Sequence, residues 1–281
     1  FYFYDMKNNS VLFVSDLDGT LMNDNQIISK FTCDTINFIV NTGVNFAFAT
    51  ARSDYSAFPI IKNITTNVPT IVYNGVFIKN KSDGTYLSKT FFSNSDIFFI
   101  YDLLTKNNVY PFVYTKNEKE EKFYYYENKI SEEQKDFLNT KVGDSRKSPL
   151  FDDENIVFEN IFYFTCIDKK ERLEPMYLLL KDIYTCYFQK DIYSGDWWLE
   201  IAPKGTSKAE AVKKLADILE CSKIVCFGDG INDISMFEIA DECYAVENAD
   251  LSLKKYANEI ILSNNDDGVA KWLLKNIDNY K

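Results

Sequence analysis

The chain has 281 residues, 46% of them hydrophobic, enough to bury a sizeable core and long enough to favour one large domain carrying a smaller inserted one. Its formal charge of -11 disfavours nucleic acid or an anionic membrane surface as a general partner, so any phosphate must be held by a local cluster of cations. Histidine is absent, which removes Ser-His-Asp and Cys-His catalysis and every histidine-based metal site.

Val11 to Ser15 is a continuous apolar run that stops at Asp16, the pattern of a parallel strand buried on both faces. Similar runs follow at Asn45 to Thr50, at Pro69 to Tyr73 and at Lys223 to Phe227, with shorter ones at Tyr244 to Val246 and Ile260 to Leu262. Between them the clearest helical pattern runs from Lys208 to Leu219, with Val212, Leu215, Ala216 and Leu219 on one face. Ser207 and Glu210 supply a capping box at its start. Strands alternating with helices predict an α/β fold, and such sheets place ligands beyond the carboxyl ends of their strands.

The stretch from about Tyr86 to Tyr193 is different, rich in aromatics, lysine and glutamate, and reads as a separate α+β module interrupting the sheet. The expected division is therefore 1–85 and 194–281 for the core and 86–193 for the insertion. The cysteines at 33, 166, 186, 221, 226 and 243 form no Cys-x-x-Cys pair and no zinc-ligand spacing, and read as small core residues of a reducing compartment. With no apolar run near the roughly 18 residues of a membrane span and no signal-peptide pattern, the expected location is the cytoplasm.

The chemistry gathers at strand ends. Asp16 and Asp18 follow the first strand, and Gly19 lets the chain turn sharply beyond them. Hydrolysis of a phosphate monoester is very slow unaided, and splitting it helps: one carboxylate attacks phosphorus, and water then cleaves the aspartyl phosphate. Asp16 is placed for the attack, and Asp18 for protonating the leaving oxygen and then activating water. Attack by an anion on a dianion calls for a hard divalent cation with oxygen ligands, here magnesium. Gly228-Asp229-Gly230-Ile231-Asn232-Asp233 follows a strand and offers two carboxylates, so the candidate ligands are Asp16, Asp18, Asp229 and Asp233. Asp233 is either a direct ligand or bound through water, and Asn232 orients the phosphate or the loop. A dinucleotide fingerprint is the rival reading of this stretch, but its third glycine position is Asp233, which would repel a pyrophosphate. Thr50, at the end of the second strand, offers a hydroxyl for a phosphoryl oxygen, and Arg52 offers bidentate contacts. Lys208 brings a point charge to the same region, with Lys204 as its competitor.

The order Asp pair, Thr, Lys, Gly-Asp-x-x-x-Asp resembles the haloacid dehalogenase superfamily, and specifically its Cof-type sugar-phosphatase branch. The segment from Leu199 through Val212 and the pair Asn74-Gly75 also resemble that branch, while Ala51 stands where it usually has glycine. The resemblance implies a Rossmann-like, doubly wound parallel sheet with an inserted α+β cap. It implies a nucleophile at Asp16, an acid/base at Asp18, a hydroxyl at Thr50, a lysine at Lys208 and an acidic motif at Asp229 with Asp233. It also implies a cap that recognises a small phosphorylated metabolite, such as a sugar phosphate, pyridoxal phosphate or flavin mononucleotide. A phosphomutase, or a non-catalytic phosphometabolite-binding protein on the same fold, is the alternative; the second would be expected to lack Asp16 or Asp18, and both are present.

Overall fold

The apolar run Val11–Ser15 forms strand β1, buried at every residue. The computed structural model describes residues 10–151, 159–191 and 193–280, so positions 1–9 of the first expected core segment lie outside them. From β1 the chain continues through α1 (Lys30–Asn41), β2 (Asn45–Phe48), α2 (Asp54–Ile60), β3 (Thr70–Val72), β4 (Phe77–Lys79) and β5 (Tyr86–Lys89). Helix α1 starts at Ser29, whose hydroxyl accepts the Thr32 N–H, and it buries Ile36, Ile39 and Val40.

The next elements are α3 (Asn94–Lys106), β6 (Phe112–Lys116), β7 (Glu121–Tyr126), α4 (Glu132–Thr140), β8 (Lys147–Leu150), β9 (Ile161–Asp168), α5 (Lys170–Leu180), β10 (Thr185–Lys190) and β11 (Trp197–Ala202). Their sheet has the order β10-β11-β9-β6-β7-β8, antiparallel except between β7 and β8. Ile97, Ile100 and Leu104 of α3 and Leu173, Met176 and Leu180 of α5 form one buried cluster with Val113, Phe164, Leu199 and Ile201 of that sheet. This unit is α+β, and Trp197 and Trp198 are residues of its strand β11.

The chain then forms α6 (Lys208–Ile218), β12 (Lys223–Gly228), α7 (Ile234–Ile239), β13 (Glu242–Val246), α8 (Leu251–Lys254), β14 (Glu259–Ile261) and α9 (Gly268–Asn276). Here lies the parallel sheet of an α/β fold, in the order β14-β13-β12-β1-β2. The central strand β1 has β2 on one side and β12 on the other, so the direction of winding reverses at β1. A ligand site is expected at the carboxyl ends beside such a switch point.

Three details differ from the expectations. The run at Pro69 to Tyr73 is no full member of the parallel sheet: β3 pairs antiparallel with β4 and meets β2's extension only through a parallel bridge between Ala49 and Ile71. At α6, Ser207 Oγ accepts the Glu210 N–H at 3.1 Å, but the Glu210 carboxylate takes the Lys213 ammonium at 3.1 Å, so the reciprocal half of the capping box is not formed. The chain divides into one unit running to Lys89 and resuming at Ser207, and another spanning Thr90–Thr206, rather than at 85 and 193. The reason is pairing: β5 joins β4 in the first unit, and β11 joins β9 and β10 in the second.

Candidate active site

Strand register brings the chemistry together. Ser15 is level with Phe227 on one side and Phe48 on the other, and the Asp16 N–H donates to the Phe227 carbonyl at 3.1 Å. Asp16, Thr50 and Asp229 therefore leave three neighbouring strands at the same edge of one sheet. Gly19 has φ +70, and a Cβ there would stand 2.3 Å from Asp229 Oδ2, so glycine is required for both the turn and the approach. Thr20 Oγ1 donates to Asp229 Oδ1 at 2.7 Å, and Asn248 Nδ2 donates to the Gly19 carbonyl at 2.7 Å. Sequence reading assigned neither of these two residues a role. Thr20 lies inside the quoted motif, whereas Asn248 has no local signal because its partner is 229 positions away.

Lys208 opens α6 and is wholly buried; its ammonium donates to Asp16 Oδ1 at 2.7 Å and to Asp233 Oδ1 at 2.6 Å. Lys204 is exposed, and it is Lys208 that contacts this cluster. The other Asp233 oxygen accepts the N–H groups of Asp229 and Gly230, both at 3.0 Å. One oxygen each of Asp16, Asp229 and Asp233 lies within 4.8 Å of the others.

Two carboxylates thus share one buried ammonium, with a third carboxylate, that of Asp229, beside them. The Asp16 carboxyl is pushed up to about 7: burial raises it most, Lys208 pulls it down, and Asp233 and Asp18 raise it. Asp229 lies well above the usual carboxylate range, from burial first and then from Asp16 and Asp233. Lys208 is raised although burial opposes it, because two carboxylates face it. The surplus negative charge and the all-oxygen donor set fit a hard divalent cation, which would be held by Asp16, Asp229 and Asp233.

The Asp18 carboxylate stands apart from these three. It was expected among the metal ligands, but Arg52 Nε and Nη2 hold its two oxygens at 2.7 and 2.6 Å, a bidentate pair that is only partly exposed. The same pairing commits the Arg52 fork, expected on phosphate, to a carboxylate. Thr50 is buried, and its Oγ1 accepts the Arg52 N–H at 3.1 Å, which fixes the hydroxyl at the strand end. Asn232, expected to orient the phosphate or the loop, donates through Nδ2 to Asn74 Oδ1 at 3.2 Å.

Comparison with known proteins shows which family the chain falls in. The model of the haloacid dehalogenase-like hydrolases matches residues 13–273. Two Bacillus subtilis proteins named 5-amino-6-(5-phospho-D-ribitylamino)uracil phosphatase are similar. One is 26% identical over 95% of this chain and 98% of its own, the other 29% identical over 92% and 95%. A crystal structure from Thermotoga maritima has a TM-score of 0.74 at 28% identity, covering 95% of this chain and 97% of its own. A haloacid dehalogenase-like hydrolase from Bacteroides thetaiotaomicron shares the fold, with a TM-score of 0.75 at 23% identity over 95% of this chain and 99% of its own. The chain belongs to the haloacid dehalogenase-like hydrolases. It is an enzyme, a phosphatase of that family.

Proposed function

We propose that this phosphatase hydrolyses small phosphorylated metabolites with magnesium, through an aspartyl phosphate formed on Asp16. The observation that carries the reading is the buried Lys208 ammonium between Asp16 and Asp233, with the Asp229 carboxylate beside them. Asp16 supplies the attacking oxygen, and a bond forms from its carboxylate to phosphorus as the bond to the leaving oxygen breaks. Asp18 gives that oxygen its proton. Its carboxylate then takes a proton from water, whose oxygen attacks phosphorus, so that inorganic phosphate leaves and Asp16 is restored. Arg52 orients the ionised Asp18 carboxylate for the second step and gives up one of the carboxyl oxygens when Asp18 carries the proton. Lys208 keeps Asp16 turned toward the site and offsets the charge that gathers on the phosphoryl oxygens. Thr50 and Asn232 hold those oxygens. Magnesium, when bound, supplies positive charge against the phosphate and lowers the repulsion that Asp16 meets.

The two Bacillus subtilis relatives carry in their names a phosphate on a ribityl chain attached to a pyrimidine, so sugar and sugar-alcohol phosphates come first in a substrate panel. The test is release of inorganic phosphate from that panel with and without magnesium, with Asp16→Asn as control. Phosphate released by the wild type and not by the variant supports the reading. Phosphate retained on an organic product marks a phosphomutase, and binding without turnover marks a non-catalytic protein.

A further inference from the structure

Three consecutive residues after β3 have positive φ: Tyr73 at 51, Asn74 at 52 and Gly75 at 103. Non-glycine residues avoid this region, and two in succession persist only where surrounding contacts hold them. Four contacts of this turn lead to the phosphate side of the site. The Tyr73 N–H donates to the Arg52 carbonyl at 2.9 Å, and the Asn74 N–H to the Thr50 carbonyl at 3.0 Å. A Cβ on Gly75 would stand 2.1 Å from the Ser207 carbonyl oxygen, so the turn lies directly against the start of the Lys208 helix. The Asn74 side chain, 1% exposed, accepts the Asn232 amide at 3.2 Å.

We propose that Asn74 is a positioning residue, which fixes the Asn232 amide for a phosphoryl oxygen while its turn ties together the segments bearing Thr50, Arg52 and Lys208. An amide has two N–H bonds. With one on Asn74 Oδ1, the rotation of the Asn232 side chain is set and the second N–H keeps one direction. The strained backbone puts the acceptor where an extended residue after β3 would not. This rests on the reading of Asn232 as a phosphate contact given above.

The test is a double-mutant cycle on the full chain with magnesium, reading the inhibition constant of inorganic phosphate and the KM and kcat for p-nitrophenyl phosphate. Asn74→Gly keeps the freedom to adopt positive φ and removes the acceptor, whereas Asn74→Ala removes both. Asn232→Ala is expected to raise the phosphate inhibition constant about tenfold, the factor carried by one charge-assisted hydrogen bond. Asn74→Gly is expected to come within about threefold of that change, and the double variant to be no worse than Asn232→Ala alone. Thermal melts check that each variant is folded, and Asn74→Gly stands in if Asn74→Ala is not. If Asn74→Gly binds phosphate as the wild type does, or if the two changes multiply, Asn74 does not act through Asn232 and the proposal falls alone. If Asn232→Ala itself leaves phosphate inhibition unchanged, the reading of Asn232 fails first and takes the proposal with it.

Discussion

Lys208 has no exposed surface and donates to the Asp16 carboxylate at 2.7 Å, across 192 positions of sequence. Its ammonium also meets Asp233 at 2.6 Å, so one cation serves two carboxylates that the pairing of β1 with β12 brings to the same end of the sheet. A lysine can be kept charged in such a place only because the carboxylates are there.

Lys208→Met is therefore expected to act on both stability and chemistry. Removing one member of a buried ion group costs about 3–5 kcal/mol, because the remaining charges lose their partner. Urea unfolding should show this loss, with added magnesium restoring part of it. Turnover should fall by about a hundredfold or more. Lys208→Arg should not rescue turnover, since the wider guanidinium fork replaces a point charge in a fully buried position.

Magnesium should raise the melting temperature of the wild type. At a hundredfold excess over its dissociation constant the gain is about 2.7 kcal/mol, and a chelator should reverse it. Asp229→Asn and Asp233→Asn should abolish the shift. Asp18→Asn should retain it, because that carboxylate is held by Arg52 and not with the other three, yet turnover should be lost. A magnesium shift lost in Asp18→Asn would place that side chain among the ligands after all.

Glu242 gives the stability a pH dependence. Burial raises its pKa, but hydrogen bonds from Lys223, Tyr280 and Tyr244 outweigh it, and the group lies below the ordinary 4.5. A carboxyl lowered on folding contributes stability that is present above its unfolded pKa and is lost as pH falls through the folded one. Glu242→Gln should cost about 1–2 kcal/mol at pH 7 and flatten the decline in stability below pH 4.5. Denaturant melts between pH 7 and pH 3 would measure both, and an unchanged acid limb would reject the assignment.

The inserted unit carries its own buried ion group. Arg146 Nε and Nη2 meet Asp144 at 3.0 and 2.7 Å, and Nη1 meets Glu121 at 2.7 Å, with all three side chains nearly buried. This cluster ties β7 to the turn before β8. Arg146→Met should destabilise the unit by about 3–5 kcal/mol, as two carboxylates lose their partner. Hydrogen exchange localised to residues 121–150 would report it.

Sequence alone was enough for the core strands, for the Lys208 helix and for the types of chemical group. The strand at Val11–Ser15 was legible because a strand buried on both faces must be apolar throughout, and Asp16 because a carboxylate cannot continue that run. Lys208–Ile218 was legible from its apolar period and its serine cap. Pro69 to Tyr73 misled because an apolar run declares burial and not direction; whether β3 joins β2 or β4 is decided by partners elsewhere in the chain. The same holds for the charges. Positions at strand ends and the family resemblance placed Asp18, Arg52, Asp229 and Asp233 near one another, but which carboxylate takes the guanidinium and which the ammonium depends on distances between segments far apart in sequence. Only the tertiary structure set Arg52 on Asp18, Lys208 on Asp16 and Asp233, and Asn232 on Asn74. Pairing among charged side chains is a property of three-dimensional proximity and shared burial, and neither has a signature one residue at a time.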